Sequence, residues 1–460
     1  MMNSAMDLHI SNNQTDVLAG QELVFMPETT AFDGAITIDS SWGNCWSFES
    51  RLLSSHMLAI GGIGSGKTNL LYHIVNQIIS GITDRDIIIF FDSKGDFLRR
   101  FYRIGDYVVG NSGQFARYQL SRWNLYKELS VPGSTGREDT IREIATSLFR
   151  KQIDSTKNPV FALGARDIFA AIIESQLRDH DGQQDNLSLR QMMRALDIPT
   201  IKSKVSKYPD LRWINMYMHS EGSATTQSFL TPLGSVVNDV FTAHFAEVGN
   251  FSIREAVHQR GGKSIFLEYD IVNSNLIDTV YTVLLDLASK EALGNEEENR
   301  YVYFVLDEFP LIPKLNYIDN LLNFGRSRGV RVIGGIQNVN QVKNMYGESL
   351  GTSILSGFST CLAFRLFDEE SRKFVSERHG KNLKLVRIPF HDAQQSGSQE
   401  YERGDVIEDW DVTTLKNGEC LVSLPYGNPY KFFPALYPRP ERQISIRAPE
   451  PRIIIKEGNS

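Results

Sequence analysis

The stretch GGIGSGKTN, residues 61–69, sets Gly61, Gly66, Lys67 and Thr68 in the spacing G-x-x-x-x-G-K-[ST]. Each residue type has a physical reason to be there. Glycines let successive backbone N–H groups turn inward around an anion. The lysine offers a point charge to the outer oxygens of a phosphate chain. The threonine hydroxyl can ligate Mg2+, and a helix starting at this point aims its positive end at the anion. The spacing therefore predicts a nucleotide-phosphate cradle over Gly61, Gly62, Ile63, Gly64, Ser65, Gly66, Lys67, Thr68 and Asn69.

Such a cradle needs acids to hold the metal and to work on water. The run YVYFVLDEF ends an apolar stretch in Asp307 and Glu308. At the C-terminal edge of a strand, Asp307 can orient Mg2+ and Glu308 can polarise the attacking water as general base. An acidic turn after a strand is the plainer alternative. The next apolar run, VRVIGGIQ, ends in Gln337, whose neutral amide can touch the γ-phosphate or the lytic water; it can equally be a polar strand end. Between these runs, NFGRSRGVRV carries Arg326 and Arg328. Either can act as an arginine finger that spreads positive charge over the transferring phosphoryl group, delivered from a neighbouring subunit. A solvated basic loop accounts for either one taken alone. FFDSKGDF places Asp92, Lys94 and Asp96 after a further apolar run. Charged turns of this kind are usually just solvated, but Asp92 and Lys94 would emerge near the phosphate end of a sheet.

These residues need a scaffold that brings them to one edge. HMLAIGG reads as a buried strand, and KTNLLYHIVNQIIS as a helix with Leu70, Leu71, Ile74, Val75 and Ile78 on one face. RDIIIFFD reads as another buried strand, and strand–loop–helix–strand implies a parallel sheet. From 136 to 250 the strands fade. EDTIREIATSLFR carries Ile141, Ile144, Ala145, Leu148 and Phe149 at helical spacing, and later segments follow the same style. Strands return at KSIFLEYD (263–270), YVYFVLDE (301–308), VRVIGGIQ (330–337) and STCLAFRL (359–366). The expectation is an α/β fold with a central, mostly parallel sheet and an inserted all-α domain. Residues 1–135 hold N-terminal strands and the first part of the nucleotide domain, 136–250 the insertion, and 251–438 the second part. Residues 439–460 form a Pro- and charge-rich tail, extended or disordered.

The 460 residues are 41% hydrophobic and 22% charged, ordinary for a soluble globular chain. A formal net charge of −7 argues against coating nucleic acid by bulk attraction and leaves room only for a local basic ring or pore. Lys202, Lys204, Lys207 and Arg212 are candidates for it, and a solvated helix face explains them equally well. Cys45, Cys361 and Cys420 fit no metal or disulfide spacing, which points to a reducing compartment, and the nine histidines build no metal site. The first residues lack the pattern of a signal peptide, and no apolar run approaches the ~20 residues a bilayer span needs. Trp42, Trp46 and the cluster YGNPYKFFPALY (426–437) read as core packing and strand pairing, not as base-stacking platforms.

In this order, GGIGSGKT, FFDSKGDF, SRWNLYKEL, NPVFALGARDIFAAII, KSIFLEYD, VLDEFPLI, GRSRGVRVIGGIQNVNQVKNMYG and CLAFRL resemble the TraD/TraG-type coupling ATPases of type IV secretion and conjugation. These belong to the HerA/FtsK group of RecA-like P-loop motors, and the resemblance spans roughly residues 50–437. It implies a RecA-like nucleotide domain with an all-α domain inserted at 136–250, where the family meets its relaxosome or substrate. It implies a homo-hexameric ring that couples hydrolysis of ATP, with Mg2+, to moving DNA or nucleoprotein toward secretion-channel proteins, without reading base sequence. It matches Lys67 and Thr68 to the Walker A pair, Asp307 and Glu308 to the Walker B pair, Arg326 to the trans-acting finger and Gln337 to the sensor glutamine. Full-length coupling proteins usually begin with membrane helices and this chain shows none. That implies a cytoplasmic protein, peripheral at the cell membrane through a separate membrane partner, or a related motor of DNA processing or defence. Two other classes compete. An ATPase that drives protein substrates without gripping DNA is favoured slightly by the acidic charge. A non-hydrolysing ATP-gated scaffold is disfavoured because Glu308 is intact.

Overall fold

The structure is a computed structural model that describes residues 15–26, 35–111, 115, 117–131, 136–179, 184–220, 222–269, 274–294, 296–312, 314–388 and 398–438. The tail expected at 439–460 and the first fourteen residues lie outside the described residues. Two compact units divide the chain. One is Met1–Phe91 with Ala292–Tyr437, the other Asp92–Glu291 with Pro438–Ser460.

In the first unit, five parallel strands stand in the spatial order Thr360–Phe364, Met57–Ile60, Val330–Ile336, Val302–Leu306, Ile87–Asp92. All their residues are buried, as expected of apolar runs covered on both faces. The strand that comes first in the chain thus lies between the last two. Chain connections diverge from this point, and in an open α/β sheet that is where a ligand crevice forms. The helix Lys67–Gly81 buries Leu70, Leu71, Ile74, Val75 and Ile78, the face its spacing predicts.

Beyond Thr360–Phe364 the sheet turns antiparallel. Cys420–Ser423 pairs with it, Tyr430–Phe432 follows, and Val24–Phe25 lies parallel at the edge. Trp46 is buried with its ring 5.5 Å from Phe432 and 6.3 Å from Tyr430, so strand pairing absorbs it as expected. Trp42 and Tyr426 differ from expectation. They are 44% and 65% exposed, because both sit in turns that carry them out of the packed layer. A second sheet of Thr15–Ala19, Lys381–Ile388 and Ser398–Asp405 is antiparallel throughout. Lys381–Ile388 and Ser398–Asp405 are rich in charge, which hides them from a search for apolar runs.

In the second unit, Val160–Asp179 packs on Arg137–Asp154 and on Ala224–Val240. Gly164 allows the second contact, since a Cβ there would come 2.4 Å from the Phe229 ring. This unit reaches past the helical run 136–250 to take in the parallel pair Tyr107–Val109 and Lys263–Glu268. The reason is a buried hub. Glu128 is fully enclosed and its carboxylate accepts from Trp123 Nε1 (3.0 Å), Ser252 Oγ (2.7 Å), Ile253 N (2.9 Å) and Arg254 N (3.1 Å). Burial pushes its pKa up while these hydrogen bonds pull it back. The hub caps the helix Ile253–Gln259 and ties both flanks of the helical run together. No helix among the described residues is long and apolar enough to cross a membrane.

Candidate nucleotide site

The strand Met57–Ile60 delivers the chain into the loop 61–66, which the helix Lys67–Gly81 closes. Gly64 and Gly66 take left-handed conformations, φ 72° and 109°, that L side chains rarely adopt. The first helical bond runs from Leu70 N to Gly66 O at 3.2 Å, so the preceding N–H groups face out of the helix end. Lys67 is buried, and its Nζ donates to Gly61 O (2.6 Å) and Gly62 O (3.2 Å). The Ser65 hydroxyl is buried and has no hydrogen-bond partner among the described residues. A buried hydroxyl left so is costly, and a phosphate oxygen is the chemistry that satisfies it. Ile63 is 85% exposed. The Asn69 side chain is engaged elsewhere: Nδ2 donates to Ala435 O (3.0 Å) and Oδ1 accepts from Tyr437 N (2.8 Å). A part in gripping nucleotide is left to its backbone.

The acids come to the same edge. Asp307 and Glu308 follow Val302–Leu306 directly, and both are buried. Thr68 Oγ1 donates to Asp307 Oδ1 (3.2 Å) and Oδ2 (3.3 Å). Hydroxyl and carboxylate oxygens at one point are the hard donor set that suits Mg2+, so these residues fit the metal the sequence implies. Gln337 Nε2 donates to Glu308 Oε1 at 3.0 Å. The sensor amide and the expected general base are thus already joined. Gln337 is held in turn: its N–H donates to Gln341 Oε1 (3.2 Å), and Asn338 and Gln341 form a capping box on the helix Val339–Tyr346. This accounts physically for the QNVNQ run.

Two glycines outside the loop build the site, and sequence reasoning missed both. A Cβ on Gly335 would come 2.0 Å from Asp307 O, so only glycine lets the strand Val330–Ile336 pass that close to the acidic turn. A Cβ on Gly66 would come 2.8 Å from Gly418 Cα, and Gly418 N donates to Ser65 O at 3.0 Å. The GG within VRVIGGIQ was a visible signal for the first. The Asn417–Gly418 pair marks a turn, with φ 92° at the glycine, but nothing local ties it to the loop some 350 positions away.

The arginines lie at the other end of the sheet. Arg326 and Arg328 sit in the short turn Gly325–Arg328 that precedes Val330–Ile336, while Gln337 follows that strand. A strand of 7 residues spans roughly 20 Å, more than an arginine side chain covers. Arg328 is half-buried and pairs with Glu296 at 3.4 Å. Arg326 is exposed and makes no ion pair or side-chain hydrogen bond among the described residues. Its neighbour is His56, which precedes the strand Met57–Ile60. Burial lowers the pKa of His56 to about 4; the nearby Leu322 backbone opposes this and the charge of Arg326 adds to it. His56 Nδ1 accepts from Val332 N at 3.1 Å, which fixes the neutral ring.

Other sequence candidates make bonds within their own segments. Asp92 accepts from the N–H groups of Lys94, Asp96, Phe97 and Leu98 and so organises its own turn, while Lys94 is exposed. In the helical run, Lys202 Nζ donates to His219 O (2.9 Å), Lys207 pairs with Asp179 (3.0 Å) and Arg212 Nε donates to Ser206 O (3.0 Å). Three of the four cations weighed as a basic run thus make local bonds, and one of them, Lys207, is ion-paired.

Residues 41–432 match the profile of a family described as the type IV secretion-system coupling protein DNA-binding domain. The coupling protein TraD of Escherichia coli (strain K12) is 22% identical over 382 residues, which cover 79% of this chain and 50% of that protein. The chain therefore spans about half the length of the curated relative it matches. Among solved structures, the unbound bacterial conjugative coupling protein TrwBdeltaN70 superposes with a TM-score of 0.73 at 17% identity, over 93% of this chain and 96% of that one. TrwB in complex with ADP and Mg2+ gives a TM-score of 0.72 at 17% identity over 93% and 95%. VirB4 of Thermoanaerobacter pseudethanolicus gives 0.53 at 12% identity over 90% and 99%. These likenesses establish a RecA-like α/β fold carrying additional helices.

Proposed function

Because the chain belongs to the family of the type IV secretion-system coupling protein DNA-binding domain, we propose that it is an ATP-driven motor that moves DNA or nucleoprotein toward a secretion channel. The observation that carries this is the convergence of Thr68 with Asp307, and of Gln337 with Glu308, beside a glycine-rich loop on one sheet edge. Lys67 and the loop N–H groups bind the phosphate chain of ATP. Thr68 and Asp307 hold Mg2+, which supplies charge neutralisation of the phosphates. Glu308 takes the proton of the attacking water, and Gln337 fixes the carboxylate that does so. Arg326 cannot serve its own site from the far end of the strand, so it serves that of the next subunit.

That last step requires an assembly, and a homo-hexameric ring is the closed form we propose. The helical domain at 136–250 meets the relaxosome or substrate, and the second part of the nucleotide domain runs from 251 to 438. DNA is held by its phosphates, without base reading. The protein works in the cytoplasm, peripheral to the cell membrane, beside a separate membrane partner. TrwB with ADP and Mg2+ and the name of TraD, a coupling protein, support this reading. The test is ATPase rate against protein concentration, with and without DNA. The expected result is a superlinear rise and stimulation by DNA; a rate per subunit that ignores both concentration and DNA overturns the ring motor.

The net charge of −7 and the engaged cations of the helical run favour a second reading, an ATPase that drives protein substrates and does not grip DNA. DNA affinity that falls steeply with salt excludes this alternative.

A further inference from the structure

We propose that Phe367, backed by Arg365, is the platform on which the nucleotide's base stacks, an inference that rests on reading 61–69 as a phosphate loop. The argument starts from which side of the loop strand each part of the ligand occupies. Asp307, Glu308 and Gln337 follow Val302–Leu306 and Val330–Ile336, both on one side of Met57–Ile60. A triphosphate whose terminal phosphate meets those residues has its nucleoside end directed to the other side. The neighbour there is Thr360–Phe364, parallel and in register, with Ala363 opposite Ile60. Residues 365–367 therefore leave the sheet level with Gly61.

Two contacts tie this segment to the loop. Gly62 N donates to Arg365 O at 3.4 Å, and a Cβ on Gly66 would lie 3.2 Å from the Phe364 ring. Phe367 is 72% exposed, with the Arg365 guanidinium carbon 5.1 Å from its ring centroid. A lone exposed aromatic is ordinary on any surface; its place beside the loop is what matters here. The backbone beneath the ring is fixed. Arg372 donates to Phe367 O and pairs with Asp409, and Asp368 caps the helix Glu369–Glu377 through Ser371 N at 2.9 Å. An aromatic ring on a held backbone, flanked by a guanidinium, suits any flat π-face, so the platform accepts adenine and guanine alike.

The experiment is titration of ATP, GTP and inorganic tripolyphosphate into the full chain and into Phe367→Ala and Phe367→Trp. The expected result is a loss of ATP and GTP affinity on the order of tenfold in Phe367→Ala, restored in Phe367→Trp, with tripolyphosphate affinity unchanged. Unchanged ATP affinity in Phe367→Ala overturns the platform. So does an equal loss for tripolyphosphate, which would mean that Phe367 shapes the loop, and so does a change in assembly alone, which would make it a subunit contact. Wild-type protein that binds neither ATP nor tripolyphosphate sinks the phosphate-loop reading and the platform with it, whereas wild-type binding of both with a silent Phe367→Ala removes only the platform.

Discussion

At the C-terminal ends of the parallel strands Thr68 meets Asp307, Gln337 meets Glu308, and Lys67 is wrapped in its own loop. At the N-terminal ends of the same strands His56 is buried and neutral and Arg326 stands exposed. One end is wired inward, the other faces outward. The difference teaches that Arg326 and the acidic pair lie at opposite ends of the same strands and do not meet within one chain. In the proposed ring a neighbouring copy brings them together, and the two ends should then respond differently to damage.

The largest effect belongs to the inward end. Lys67→Ala should reduce ATP turnover to background and abolish nucleotide binding, read by a coupled phosphate assay and by titration. Next, Arg326→Ala at the outward end should lower kcat by about 10³-fold, the scale of a trans-acting finger, with ATP binding retained. Glu308→Gln should lower kcat by roughly 10²-fold while ATP still binds. Mixing these last two inactive proteins is the sharpest test of the comparison. Some mixed contacts pair an intact Arg326 with an intact Glu308, so turnover should partly return. If no ratio restores activity, the two ends do not meet across a subunit contact.

Smaller effects probe how each end is built. Gly335→Ala forces a Cβ against Asp307 O, and overpacking of this kind costs about 1–3 kcal/mol. The variant should melt lower and lose kcat more than it raises KM. The outward end predicts a pH effect. The His56 pKa is lowered from 6.5 to about 4 in the fold, so its stabilising contribution is full above pH 6.5 and is lost as pH falls toward 4. Between pH 7 and pH 5 this amounts to about 2 kcal/mol. Urea midpoints should fall over that range in the wild type, and less in His56→Asn.

The inward end was far more legible than the outward one. Its residues come in short runs whose order carries the chemistry, and GGIGSGKT, LDEF and GGIQ sit at strand ends where their roles can be read. Arg326 and Arg328 could not be separated from sequence, because the distinction is an ion pair from Arg328 to Glu296, 32 positions away. Gly418 has its own reasons to be glycine, a φ of 92° and the Phe433 ring 2.9 Å from a Cβ there, but its contact with the loop is encountered only in three dimensions. Composition places the aromatic turn residues Trp42 and Tyr426 in the packing, because it cannot tell a strand from the turn beside it. The Glu128 hub was likewise invisible. Its partners Ser252 and Arg254 arrive at SRWNLYKEL from more than 120 positions away.

Asn69, one residue past the loop's threonine, is bound to Ala435 and Tyr437, separations of 366 and 368 positions. A growing chain emerges from the ribosome at ~5–20 residues per second, so the helix behind the loop waits on the order of half a minute for that clasp. Asp92–Glu291 is continuous in the chain and can close first. Biosynthesis thus delivers residues 92–291 before the unit that carries the loop is finished.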